Sequence, residues 1–446
     1  MSAFWSRAMT GERRSFLGQV LTLVSGTVAA QAILVLASPF LTRIYSPDDF
    51  ATLQMYTIWT GLIAAFASGR YELAIMIAND DSDRRTIAWL SLLLSVAISI
   101  VAGTLVVLFA YSSIYAVNLV GPPSIAIWLI PFGSLCYAWS TVVQRWEAWN
   151  NRFRTLASSQ VYGGIVTVTL QFLLAYLVVK PSGTQLVIAN LIGLFVTCYA
   201  MSGEILSDLW KNRADFRVAE ALSAASKHWK FPAFSTGAHL LGRITVEVPK
   251  LMIGALFAPA ALGLFSLSLR VSQLPLALIG QAFGHVFFRR VADCRGDGKR
   301  VQRLLNRSAL LLLAIILPPM GVLYLWAEPL FGFVFGQNWI EAGTYARLLV
   351  PWMIAGFVVQ PISYSLQAFE KQDMIFLWNV TVLPLGLAAV YLGYLLHDVR
   401  SAILFYSLSL MFMHMIYYGM CLKIAGGLGK GDPAVDGVPS EMRGEL

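Results

Sequence analysis

Residues 86–144 form one stretch without a charged side chain: TIAWLSLLLSVAISIVAGTLVVLFAYSSIYAVNLVGPPSIAIWLIPFGSLCYAWSTVVQ. A helix that crosses the hydrocarbon core of a bilayer needs about 20 apolar residues, so these 59 residues are too many for a single helix. The stretch contains Gly121-Pro122-Pro123, where no helix continues. It therefore predicts two membrane-spanning helices joined by a turn.

Similar charge-free runs recur along the chain. They are Ser15–Thr42, Phe50–Gly69, Thr155–Val179, Pro181–Gly203, Ser308–Ala327, Leu348–Phe369, Met374–Leu396 and Ser401–Leu422. Two more apolar segments, 231–257 and 262–288, are interrupted by charges. Charged residues make up 13% of the chain, against about 25% in soluble domains, which excludes an ordinary soluble enzyme. We therefore predict an all-α integral membrane protein with twelve transmembrane helices.

Lysine and arginine are distributed unequally between the two sides that twelve spans define. Of the 32 basic residues, 24 fall on one side, called here the basic side, and 4 on the other. The positive-inside rule makes the basic side cytoplasmic, with both termini there. No loop on the opposite side is long enough for a catalytic domain, so the pattern favours a transporter over an enzyme.

The two halves of the chain repeat each other weakly. SPDDFATL at 46–53 matches APAALGLF at 258–265, and LIPF at 129–132 matches LVPW at 349–352. Two six-helix bundles with the same orientation, and a cavity between them, are a transporter design. The predicted domains are a cytoplasmic N-terminus (1–14), an N-terminal bundle (15–210), a cytoplasmic linker (211–231), a C-terminal bundle (232–425) and a flexible cytoplasmic tail (426–446).

Six charged side chains fall inside predicted spans: Arg70, Glu72, Arg243, Glu247, Lys250 and Arg270. A charge at mid-bilayer costs at least about 2.5–3.5 kcal/mol and by default marks a site or pathway. His239, Arg243, Glu247 and Lys250 are spaced to share one helix face. Arg70 and Glu72 are two residues apart and are expected to need separate partners. The net positive charge of the six side chains predicts an anionic cargo. Arginine is suited to binding phosphate through paired donors. The alternative is that these charges are structural pairs or snorkelling side chains.

Three motifs carry a family resemblance: LTRIYSPDDF (41–50), RYELAI (70–75) and FGQNWIEAG (335–343). They resemble the polysaccharide (O-antigen, Wzx-type) flippases of the multidrug/oligosaccharidyl-lipid/polysaccharide (MOP) exporter superfamily. The resemblance implies two pseudo-symmetric six-helix bundles in a MOP-like V shape. It also implies flipping of an undecaprenyl-pyrophosphate-linked oligosaccharide across the bacterial inner membrane for O-antigen, lipopolysaccharide or exopolysaccharide biosynthesis. Arg43, Arg70 and Glu72 join the candidate site as matching motif residues.

The expected partners follow from this interpretation. They are the lipid-linked glycan, the bilayer, a proton or sodium counter-ion, and polysaccharide assembly proteins. No GxxxxGK[ST] loop is present, and the four cysteines form no metal-ligand pair, so we predict no cofactor and no metal. The basic residues are dispersed over short loops, which does not favour nucleic acid.

Three alternatives remain open. A drug/cation antiporter of the same superfamily would favour a net-negative cavity. A lipid II flippase tends to have fourteen spans. A membrane glycan polymerase or ligase would need a substantial catalytic loop. Separately, the tryptophans near span ends are expected to form interface belts: Trp146, Trp149, Trp210, Trp229, Trp326 and Trp339.

Overall fold

The computed structural model describes residues 25–78, 80–111, 125–213, 217–272, 287, 290–291, 298–369 and 372–427. Within these ranges the chain is helical and has no β-strand. The helices are α1 (Ser25–Leu41), α2 (Pro47–Ala67), α3 (Asp81–Tyr111), α4 (Ile130–Trp149), α5 (Phe153–Leu177), α6 (Gly183–Lys211), α7 (Val218–Lys227), α8 (Thr236–Leu256), α9 (Pro259–Ser272), α10 (Gly298–Phe335), α11 (Ile340–Ala368), α12 (Gln372–Leu395) and α13 (Val399–Gly427).

The helices occupy the positions that the charge-free runs predict. Nine segments of the described ranges are long and apolar enough to cross a membrane. The three remaining predicted positions hold α1 and α9, whose described residues are apolar, and α8, which carries three charged residues. The all-α membrane fold is therefore confirmed. The predicted break at 121–123, the terminus 1–14 and residues 428–446 lie outside the described ranges.

The described helices fall into two compact units. The first contains α1–α8, the start of α9 up to Ser266, and the segment Val334–Trp339. The second contains Leu267–Phe333 and the chain from Ile340 onward. The predicted bundle boundary at 211–231 stays a prediction; the structure describes helix α7 within that segment.

Prolines begin the two helices that the repeat matches. α2 begins at Pro47 after Ser46, whose hydroxyl and backbone form a reciprocal capping box with Asp49. α9 begins at Pro259. Gly263, which corresponds to Ala51 in the repeat, lies so close to α2 that a Cβ there would overlap the carbonyl oxygen of Pro47. Only a glycine allows this approach.

The second unit has its own core and its own capped helix. Buried apolar residues of α10, α11 and α13 form that core, including Leu305, Ile362 and Cys421. Asp398 precedes α13, and its carboxylate accepts hydrogen bonds from the hydroxyl and backbone N–H of Ser401 at 2.6 and 2.9 Å. The hydrogen bond from the Ser401 hydroxyl holds the pKa of Asp398 below its ordinary value.

The expected tryptophan belt is wrong for two of its members. Trp339 is 0% exposed, and its indole N–H donates to the carbonyl oxygen of Thr42 at 2.9 Å. Its ring also meets Phe50 edge-on, with centroids 4.9 Å apart. Trp146 is buried as well. Position near a span end did not distinguish Trp146 and Trp339 from the exposed Trp326. The two buried side chains pack against neighbouring elements of the first unit.

Candidate functional site

A cavity of about 200 Å³ lies within the first unit, among α2, α4, α8 and the segment that follows α2. Its lining is polar and rich in charge. The lining residues are Gly61, Ala64, Ala65, Arg70, Glu72, Tyr137, Thr141, Gln144, Arg145, His239 and Arg243. Three arginines against one carboxylate give this lining a net charge of +2 with the histidine neutral.

Arg70 and Glu72 reach the cavity from a turn. α2 ends at Ala67, and Arg70 adopts a left-handed backbone with φ 60° before a short 3₁₀ helix, Tyr71–Ile77. The expectation that the two side chains need separate partners is wrong. Arg70 Nη1 lies 3.3 Å from Glu72 Oε1, because neither residue belongs to the α-helix that the expectation assumed.

Glu72 is a buried and well-partnered carboxylate. It is 2% exposed, and the Ser68 hydroxyl donates to its Oε2 at 2.5 Å while Arg70 contacts its Oε1. Arg70 Nε has no hydrogen-bond partner among the described residues. Glu72 therefore contacts Nη1 of the Arg70 guanidinium, and Nε has no acceptor among the residues that the structure describes.

The charged face predicted for α8 is confirmed. Arg243 Nη1 lies 3.7 Å from Glu247 Oε1, and Lys250 Nζ lies 2.9 Å from Glu247 Oε2. One carboxylate thus serves two cations, and the face stays net positive. His239 and Arg243, one turn apart, are the members of this face that line the cavity.

Four lining residues of α4 were missed: Tyr137, Thr141, Gln144 and Arg145. They are spaced four, three and one residues apart, which places them on one side of the helix. This spacing of polar residues in an apolar run could have predicted them from the sequence. Arg145 was counted only as a loop cation on the basic side. No ion pair of Arg145 is seen within the described ranges.

The remaining candidates lie elsewhere. Arg43 is exposed in the turn before α2, and the part of α2 from Pro47 to the lining residue Gly61 separates it from the cavity by about 20 Å. Glu247 and Lys250 do not line the cavity but hold Arg243 through the ion pairs of α8. Arg270 lies on the part of α9 that belongs to the second unit.

The size and charge of the cavity define what it can bind. Pockets for drug-sized ligands measure about 300–1,000 Å³, so this one holds a small group. Arginine presents paired donors to phosphate oxygens, and a tyrosine, a threonine and a glutamine add uncharged donors. The arrangement suits a phosphate or diphosphate group.

Gly61 fixes how closely Arg243 approaches α2. A Cβ at position 61 would overlap Arg243 Nη2, the end of a flexible side chain that can move aside. We expect Gly61→Ala to fold but to displace this guanidinium, lowering the affinity for inorganic pyrophosphate by about tenfold, the value of one charge-assisted hydrogen bond. Titration calorimetry on purified protein measures this. Gly242→Ala is the matched control, because a Cβ there meets nothing within 4 Å; equal affinities for the two variants would contradict the assignment.

Comparison with known proteins identifies relatives of this chain. Residues 40–344 match the family described as "Polysaccharide biosynthesis protein". The teichuronic acid biosynthesis protein TuaB of Bacillus subtilis (strain 168) is 22% identical over 333 residues, which are 72% of this chain. The match spans 66% of the length of TuaB, just under two thirds.

Solved structures share the fold, among them two transporters. A multidrug resistance MATE family transporter of the MOP superfamily, in an inward-facing conformation, superposes with a TM-score of 0.69 at 14% identity over 92% of this chain and 99% of the transporter. The lipid II flippase MurJ, in an inward closed conformation, gives a TM-score of 0.71 at 13% identity over 91% of this chain and 87% of MurJ.

Proposed function

Because this chain belongs to the polysaccharide biosynthesis protein family and shares its fold with a MOP superfamily transporter and a lipid II flippase, we propose that it is a multi-pass flippase rather than an enzyme. Its proposed cargo is an undecaprenyl-pyrophosphate-linked oligosaccharide. The membrane is the bacterial inner membrane, with both termini in the cytoplasm. The product serves O-antigen or exopolysaccharide biosynthesis.

The net-positive cavity of the first unit is the observation that supports this cargo most directly. A pyrophosphate cannot cross about 30 Å of hydrocarbon unaided, because an unpaired charge there is very costly. Arg70, Arg145 and Arg243 replace the water around the phosphate oxygens. The cavity is too small for a whole oligosaccharide and suits the linkage that all lipid-pyrophosphate cargoes share.

The movement we propose is alternating access. The cavity takes up the headgroup from the basic side while the lipid tail stays in the bilayer, and rocking of one bundle against the other then exposes the headgroup to the opposite side. Arg43, Glu247, Lys250 and Arg270 remain proposed members of the substrate path. Polysaccharide assembly proteins are the proposed partners on the far side.

The direct test is the leaflet in which the cargo accumulates. We expect a deletion strain to accumulate lipid-linked oligosaccharide on the inner leaflet, and the wild-type gene to reverse this. Purified protein in proteoliposomes should make a fluorescent lipid-pyrophosphate oligosaccharide accessible to an outside reagent. Unchanged leaflet distribution in the deletion strain would contradict the proposal.

A second comparison separates the alternative cargoes. We expect inorganic pyrophosphate to bind the purified protein and an organic cation such as ethidium to bind much more weakly, because the cavity charge is +2. Tighter ethidium binding would favour a drug/cation antiporter. Equal transport of lipid II and lipid-linked oligosaccharide would show that the pyrophosphate alone is selected.

A further inference from the structure

A carboxyl group near the end of α4, outside the cavity lining, has no hydrogen-bond partner within the described ranges. The side chain of Glu147 is 0% exposed. Neither of its oxygens accepts a hydrogen bond from the part of the chain that the structure describes. An ionised carboxylate in such surroundings is strongly disfavoured unless a cation and hydrogen bonds compensate it, whereas a neutral carboxyl is tolerated far better.

The turn after α4 brings one cation towards this group. Asn151 adopts φ 56°, a left-handed conformation that asparagine tolerates well, and the backbone N–H of Arg152 donates to the carbonyl oxygen of Glu147 at 2.9 Å. Arg152 Nη1 lies 3.9 Å from Glu147 Oε2 but 2.5 Å from Glu204 Oε2. The guanidinium is therefore shared unequally, and Glu204 on α6 has the closer contact.

The other charged groups near this end of the first unit form ion pairs with one another, line the cavity or are exposed. From α3, Arg84 pairs with Asp81 at 2.6 Å and Arg85 with Asp208 of α6 at 3.8 Å. The remaining ones are the Arg70–Glu72 pair, the cavity residue Arg145 and the exposed Arg154, while α2 places no charge at this end. Within the described ranges, Arg152 is thus the cation that forms an ion pair with Glu147.

The ligand that fits this site is a proton. A sodium ion at Glu147 would lie beside the positive charge of the Arg152 guanidinium, whose Nη1 is 3.9 Å from Glu147 Oε2. A proton instead forms one O–H bond on the carboxylate, removes its charge, and leaves Arg152 paired with Glu204 alone.

We infer that Glu147 is a proton-binding site, and that proton binding there is coupled to loading of the cavity. The coupling element is the last part of α4, where Gln144 and Arg145 line the cavity less than one turn before Glu147. Protons reach the site past Glu204 and Arg152, whose side chains are 37% and 47% exposed. The inference rests on the proposed function for its cargo but not for the proton site itself.

Infrared difference spectroscopy on purified protein tests the site directly. Glutamate labelled with ¹³C at the side-chain carboxyl should give a pH-dependent C=O band of a protonated carboxyl in the wild type. This band is expected to be lost in Glu147→Gln and kept in Glu204→Gln. Glu341→Gln is the matched control, because Glu341 forms two close contacts with Arg400, at 2.8 and 2.7 Å. A band that persists in Glu147→Gln would overturn the assignment.

Transport in proteoliposomes tests the coupling. Flipping of a lipid-pyrophosphate oligosaccharide by the wild type should respond to an imposed pH gradient, and Glu147→Gln should lose this response. A response to a sodium gradient, with none to pH, would overturn the inference. If no Glu147 band appears while the wild type still flips the cargo, the proton site alone is wrong. If the band is present but no cargo moves, the proposed function fails instead.

Discussion

Arg243→Glu is expected to lower flipping of the lipid-linked oligosaccharide about 100-fold while the protein still inserts into the membrane. The wild-type guanidinium is a cavity donor, and charge-assisted hydrogen bonds are each worth about 1.5–3 kcal/mol. Reversal removes the attraction and adds repulsion to the same phosphate oxygens. Cells carrying this variant should accumulate the inner-leaflet intermediate, which thin-layer separation of labelled lipids measures.

The fold should survive this change. The new carboxylate would lie one turn from Glu247, and such like-charge pairs cost only about 0.2–0.5 kcal/mol. Glu247 also keeps its partner Lys250 at 2.9 Å. Arg303→Glu, which makes the same charge change at an exposed position of α10, is the matched control. An equal loss in both variants would mean that the total charge, and not the cavity, sets the rate.

Trp339→Ala is expected to have the largest effect on stability, a loss of about 3–5 kcal/mol in the free energy of unfolding. The indole is fully buried, contacts Phe50 and donates to Thr42, so truncation leaves both a void and an unpaired carbonyl. Unfolding of the purified protein in detergent, followed by tryptophan fluorescence, measures the change.

Trp326→Ala supplies the comparison for this prediction. Trp326 is 53% exposed and lies at a non-helical residue inside α10, so its truncation should cost about 0.5 kcal/mol or less. The sequence analysis predicts both tryptophans for the interface belt and does not separate the buried one from the exposed one. Similar losses in the two variants would show that the Trp339 contacts with Thr42 and Phe50 add little to the stability of the first unit.

Hydropathy predicted the fold because the bilayer imposes a length on every helix. The twelve predicted positions all carry a helix, and the charged α8 was recognised despite its lower hydropathy. The same rule could not show that α2 ends before Arg70. A left-handed residue leaves no trace in apolar periodicity, so the Arg70–Glu72 ion pair was missed.

The site residues that lie within apolar runs were predicted, and those near the many charges of the basic side were missed. Arg70, Glu72 and Arg243 stood out because a charge within an apolar run is costly. Arg145 lies among many cations that the positive-inside rule already explains. Glu147 was overlooked for a related reason: a carboxylate near a span end looks solvated, and only the packing of α4 against α6 shows it to be buried.

The hydrogen bond from Trp339 to Thr42 has a consequence for biogenesis. It joins positions 297 residues apart, so the first unit remains unfinished until three quarters of the polypeptide has left the ribosome. Such long-range closure slows folding. The translocon therefore receives α8 when α2, its packing partner, is already in the bilayer, which shelters the three late-arriving charges from lipid. In a polypeptide that ends before α8, the α2 surface that packs against α8 would stay uncovered. We expect membrane quality-control proteases to degrade such a polypeptide.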